Sequence, residues 1–127
     1  MSGGWGRGYL HRVRALAQKH PDWTFCSYTA AVIYGLSVSH ANLTHIHIAV
    51  APAQSTTPGS QVVRHRYVRQ TRATQMDIAV TDIDQTITDC LVDASFVEGL
   101  IIADSALHEQ LLSKEHLVET VDKLGLN

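Results

Sequence analysis

The sequence predicts an α+β domain: a small, mostly antiparallel sheet of three or more strands packed with about five helices. Three observations lead there. The runs with period-two alternation lie together in the middle of the chain instead of alternating with helices, which disfavours a parallel α/β sheet. The segments with helical periodicity fall on either side of them. The 127 residues, 45% hydrophobic and 17% charged, are enough for one modest core and show no internal repeat or second domain.

The elements are legible in order. Residues 1–8 are glycine-rich and are expected to form a flexible lead-in, leaving 9–127 as the single domain. Over residues 9–19, Leu10, Val13 and Ala17 share a face while Arg12, Arg14 and Lys19 lie elsewhere, a short amphipathic helix that His20-Pro21 ends. Trp23-Thr-Phe25 reads as extended. Ser27 is placed to cap a helix from Tyr28 to Tyr34, closed by Gly35. Thr44-His-Ile-His-Ile-Ala-Val50 alternates as a strand does, and Ala51 to Ser60, with two prolines and a glycine, reads as a mobile loop. Gln61 to Val68 alternates again, as a strand antiparallel to the first, and Met76 to Val80 makes a shorter third.

Three helices follow. Asp82 with Gln85 three positions on forms an aspartate variant of the capping box, ahead of a buried stripe of Ile83, Ile87, Cys90, Leu91 and Ala94. The next helix spans about Phe96 to Leu111. The last runs from about Lys114 to Leu124, with Ser113 as cap and Gly125 as stop.

Composition narrows the function classes. The longest apolar run, Gly99-Leu-Ile-Ile-Ala103, is far short of the ~20 residues of a membrane span, and Met1-Ser-Gly-Gly-Trp-Gly-Arg has no apolar stretch of signal-peptide type. Cys26 and Cys90 sit among apolar neighbours without C-x-x-C spacing, as reduced core thiols of a cytoplasmic protein do. Charge is divided unevenly. Residues 1–76 carry eight Lys/Arg against the single acid Asp22, net +7; residues 77–127 carry two Lys against eleven acids, net −9. Such asymmetry suits an anionic partner for the first half, or mutual attraction of the halves within the fold.

Several constellations bear on chemistry. Arg64, Arg66, Arg69 and Arg72 form the densest basic run, with Tyr67 beside them, an arrangement that grips phosphates and stacks on bases or else pairs with the acidic half. His45 and His47 stand two apart on one predicted strand and His65 lies on the next, so three imidazoles suited to Zn, Ni, Cu or Fe come near one another. No carboxylate or fourth ligand accompanies them on these strands, a half-exposed polar sheet face is the stronger reading, and no metal or cofactor is assigned. Among the acids, Asp82 is accounted for by capping, while Asp89 and Asp93 share an i,i+4 helix face with no nucleophile or base marked beside them. The chain has no G-x-S-x-G, P-loop, G-x-G-x-x-G or H-E-x-x-H motif, so no catalytic residue is assigned.

Taken together, several segments carry a resemblance. Ser27-Tyr-Thr-Ala-Ala-Val-Ile-Tyr-Gly-Leu36 resembles the S-x-x-(S)-A-A-x-x-(H)-G-L helix of AbiEi-type proteins, antitoxins and transcriptional regulators of type IV toxin–antitoxin systems. Ile46-His-Ile48 and Val63-Arg-His-Arg66 resemble that family's V-H-V and R-x-H strands. Val80-Thr-Asp-Ile-Asp-Gln-Thr-Ile-Thr-Asp89 followed by Ile102-Ala-Asp-Ser-Ala-Leu107 resembles its V-T-x-x-x-R-T-x-x-D … A-D-x-A-L signature. The likeness spans roughly residues 9–111. Gln85 stands where the family usually has arginine, so a contact by that arginine is not carried over. Relatives commonly place a winged helix-turn-helix before this region and some a Vsr-like nuclease domain after it. Neither is expected here, which makes the chain the central domain alone.

The resemblance implies a non-enzymatic regulatory or interaction domain with a cognate toxin protein or DNA as partner. Under it Arg64, Arg66, Arg69 and Arg72 face an anion, while His47, His65, Asp89 and Asp104 are polar framework groups, the two aspartates holding helices to the sheet. The first alternative is an accessory domain of a nuclease or phosphate-handling enzyme in which His47, His65 and Asp89 converge on a pocket. The second is a metal-binding module using His45, His47 and His65.

Overall fold

The computed structural model describes residues 4–51, 61–67 and 71–125, and the side chains of these from residue 8 onward. The elements, in chain order, are α1 (Gly4–Lys19), β1 (Thr24–Phe25), α2 (Ser27–Ile33), a 3-10 turn (His40–Asn42), β2 (Ile46–Val50), β3 (Val62–Arg66), β4 (Ala73–Gln75), β5 (Ile78–Val80), α3 (Ile83–Asp93), α4 (Phe96–His108) and α5 (Lys114–Leu124). The fold is α+β, five helices with a five-stranded sheet in the order β3-β2-β1-β5-β4. The sheet is mixed, not mostly antiparallel: β1–β2 and β4–β5 are antiparallel, whereas β1–β5 and the adjacent pair β2–β3 are parallel. The expected antiparallel pairing of the two histidine strands is therefore corrected. Alternation reports which side chains share a face and is blind to strand direction. A parallel neighbour needs a crossover of about a dozen residues, and most of that connection, 52–60, lies outside the described residues.

Other boundaries shift for local reasons. Residues 4–8, expected to be flexible, belong to α1. The expected third strand is a hairpin, β4 and β5 joined at Met76 and Asp77, whose φ values of 54° and 61° are the two positive angles that a two-residue I′ turn requires. No Asn-Gly or Asp-Gly marks it, so turn chemistry did not reveal it. Asp82 does cap α3, accepting from the Gln85 backbone at 2.9 Å, but the Gln85 side chain turns away from the cap to Asp89. The box is half made. Ser27 does not cap α2. Cys26 occupies the N-cap without a side-chain bond, and Ser27 opens the helix at φ 52°, a strained angle for a residue with a Cβ. Gly35, at φ 83°, ends α2 as expected.

One apolar core joins Val13 of α1, Phe25, Ile33 of α2, Ile46 and Ile48 of β2, Val80, Ile87 of α3 and Ile102 of α4, all almost fully buried. α2 packs on β2 and on α3, and α3 packs on α4. Gly99 makes the last crossing close. A Cβ there would stand 3.2 Å from the Leu91 Cα, a backbone atom that cannot turn aside. Gly99→Val is accordingly expected to lower stability by about 2 kcal/mol, read as a reduced urea midpoint. An unchanged midpoint would show that the helices separate freely. α5 has no fully buried residue; it rests on the core through half-buried Leu117, Val121 and Leu124, and His116 Nε2 lies 2.8 Å from Asp84 Oδ1.

Candidate functional site

The register sorts the sheet's polar side chains onto two faces. His47 pairs with Val63, and Ala49 with both His65 and Thr24, so His47, His65 and Thr24 share one side. Arg64 and Arg66 alternate to the other. Tyr67, two residues beyond His65, returns to the histidine side. There the side chains join into a cluster. The Nδ1 atom of His47 lies 2.8 Å from Nε2 of His65. The His65 ring lies nearly parallel to that of Tyr67, whose hydroxyl donates to Asp89 Oδ2 at 2.5 Å. Gln85 Nε2 donates to the other oxygen, Oδ1, at 2.9 Å. One helical turn further, Asp93 Oδ2 accepts from Ser27 Oγ at 2.9 Å and lies 3.9 Å from His65 Nδ1. The Cys26 thiol touches the Tyr67 hydroxyl. The cluster thus ties β2, the end of β3, the β1–α2 junction and α3 together.

Burial sets the protonation states. Loss of solvent, helped by the neighbouring His65 and His45, lowers His47 to about 4, so the ring is neutral near pH 7. Both rings cannot be cationic together, because two N–H groups would then face each other across 2.8 Å. Burial also raises Asp89, partly opposed by the bonds from Tyr67 and Gln85. Burial raises the Tyr67 hydroxyl and the Cys26 thiol as well. Tyr67 is therefore a fixed donor, and Cys26 is an inert thiol rather than a nucleophile. Ser27 is fully buried and donates to a carboxylate instead of an imidazole, so it forms no activated serine–histidine pair. Deeper in the fold, Thr29 Oγ1 accepts the His47 backbone N–H at 2.8 Å and meets the Tyr9 hydroxyl at 2.6 Å, joining α1, α2 and β2.

The expected site residues are only partly assembled. His47 and His65 meet directly, and Asp89 reaches them through Tyr67. A cleft of about 230 Å³ is lined by Gly8, Tyr9, Arg12, His40 and Leu43, none of which belongs to this cluster. The three-histidine metal set is not formed. β2 begins at Ile46, so His45 lies off the pleat, exposed and against Thr44 Oγ1 at 2.9 Å. Among the described residues no group of three or more His, Cys, Asp or Glu is placed to hold a metal ion. Asp104 is exposed on α4 and does not hold that helix to the sheet. The four arginines do not make one anion-facing patch: Arg64 and Arg66 lie on the face opposite His65, while Arg72 donates to Thr24 Oγ1 at 3.4 Å on the histidine side. Arg69 lies outside the described residues. Sequence reasoning missed Ser27 and Cys26 as cluster members, since neither bears a spacing signal. Tyr67, two residues after His65, and Asp93, four after Asp89, were findable by period.

A second surface feature lies on the helices. Val92 at the end of α3 and Phe96, Val97, Leu100 and Ile101 of α4 are all exposed, Val97 by 65%. Comparisons with protein-family models, with curated proteins and with solved structures find no match. Among the described residues no helix is long and apolar enough to cross a membrane.

Proposed function

We propose that this chain is a non-enzymatic regulatory or interaction domain of the AbiEi-like kind, acting in the cytoplasm by docking a partner macromolecule. The observation that carries this reading is the exposed apolar surface of α3 and α4, five large hydrophobic side chains within ten residues. The polar cluster supports it from the other direction. Tyr67, Asp89, Ser27 and Asp93 engage one another or their neighbours inside the fold, as structural braces do. On this reading Asp89 is a framework group of α3, and Asp93, on the same helix, is a second one through its bond from Ser27.

A photo-crosslinking residue at position 97 tests the reading in the protein's own cells. Crosslinks to a macromolecule are expected there and not from position 18, exposed on α1; equal or absent crosslinking at both would overturn it. The meeting of His47 and His65 near Asp89 favours a second reading, an accessory domain that handles phosphate esters. It predicts hydrolysis of bis-p-nitrophenyl phosphate that His65→Gln removes. The leading reading predicts that neither protein exceeds buffer.

A further inference from the structure

We propose that the exposed face of α4, extended by Val92, is the docking site for a basic amphipathic helix of a partner protein; the proposal rests on the interaction-domain reading above. At 3.6 residues per turn, Phe96, Leu100, Val97 and Ile101 fall within an arc of about 140°. Gly99, Ile102, Ala103 and Ala106, on the opposite arc, are buried. α4 therefore has two apolar faces where a surface helix normally has one. Its inner face is covered within this chain. Its outer face is a shallow ridge of aliphatic and aromatic groups, the surface that the apolar stripe of a second helix covers.

Charge identifies the occupant. Between Arg72 and Lys114 there is no Lys or Arg, while eight acids occur: Asp77, Asp82, Asp84, Asp89, Asp93, Glu98, Asp104 and Glu109. Asp104 lies on the same arc one turn beyond Leu100, and Asp93 and Glu98 stand on either side of Phe96 in the sequence. The charged side chains that α4 itself carries, Glu98 and Asp104, are both acidic, with Asp104 exposed on the arc of the ridge, and a helix flanked by Lys or Arg matches the face in both respects. Nucleic acid and anionic membranes share the sign of the rim and are repelled. A second copy fits less well. Its own α4 would set acids against acids, and its basic helix α1 has Leu10, Leu16 and Ala17 half-buried against its own core.

The test uses the full chain and two labelled synthetic peptides of about 18 residues, long enough to fold as helices. Both carry leucines at helical spacing; one has lysine flanks, the other glutamate flanks. The lysine peptide is expected to bind, at least about tenfold more tightly than the glutamate peptide, and to weaken with salt. Val97→Ser with Ile101→Ser, both surface changes, should weaken it about tenfold with the thermal midpoint retained, and Asp104→Lys alone about threefold. Equal binding of both peptides, or unchanged binding by the double variant, would overturn the proposal. So would a concentration-dependent dimer, or binding to phosphatidylglycerol vesicles, that the double variant abolishes. If crosslinking at position 97 persists while the two peptides bind alike, the interaction domain stands and only the basic helix falls.

Discussion

Replacing Asp89 by alanine is expected to cost about 3 kcal/mol of folding stability. Both carboxylate oxygens are engaged, Oδ1 by Gln85 and Oδ2 by Tyr67, in a half-buried setting. Alanine would leave the Tyr67 hydroxyl without its acceptor beside the buried Cys26 thiol, and an unsatisfied donor of this kind costs about 1–3 kcal/mol in addition to the lost bonds. Asp89→Asn should be much milder. An asparagine oxygen still accepts from Tyr67, and the Gln85 amide can rotate to present its own oxygen to the new NH₂ group. Urea denaturation of Asp89→Ala, Tyr67→Phe and the double variant measures the pair directly, with a coupling of about 1–2 kcal/mol expected. Additive effects would mean that the hydroxyl and the carboxylate do not hold α3 to the end of β3.

Acidification is expected to destabilise the domain by a similar amount through His47. The folded-state value is about 4 against an ordinary 6.5, so protons bind the unfolded chain more tightly than the folded one. The contribution of the neutral ring is intact above about pH 6.5 and is lost progressively as the pH falls towards 4. At 1.36 kcal/mol per pH unit the loss reaches about 3 kcal/mol. Asp89 acts in the opposite sense. Its folded value is raised, so it takes up a proton in the folded state before it does so in the unfolded chain, offsetting part of the loss at the acid end. The thermal midpoint of the wild type is thus expected to drop between pH 7 and 4.5, with most of that drop absent in His47→Gln. An equal drop in the variant would place the acid sensitivity elsewhere.

The two residues sit in one cluster but act through different physics. Asp89 stabilises by directed bonds that a neutral amide largely reproduces, whereas His47 matters because its ring is kept from charging. In the cluster His47 meets Nε2 of His65, makes a T-shaped contact with the Tyr28 ring at 5.4 Å and has its backbone N–H held by Thr29. A proton on it would need solvent that the packing has removed. Asp89 and His47 are thus held by contacts inside the fold, whereas Val97 and Ile101 of α4 are exposed.

The sequence by itself determined the class of fold, the starts of the last three helices and the buried centre of the α3 stripe at Ile87, Cys90 and Leu91, whereas the helix expected to reach about Leu111 ends at His108. These follow from local rules: periodicity of apolar side chains, Asp82 and Ser113 accepting from the third residue on, and Gly35 and Gly125 at positive φ. It also placed His47, His65 and Asp89 among the residues to watch. Only the tertiary structure decided that β2 and β3 run parallel, because strand direction depends on a crossover and leaves no trace in alternation. It likewise decided that Ser27 bonds Asp93 across 66 residues of chain, and that Arg72 lies on the other side of the sheet from Arg64 and Arg66. The apolar outer face of α4 is the sharpest case. In the sequence Phe96 to Ile102 looks like any buried helix, since hydrophobicity states a preference for burial and not whether a neighbour within the chain supplies it. Packing covered one side, at Gly99 and Ile102, and left Val97 and Ile101 facing outward.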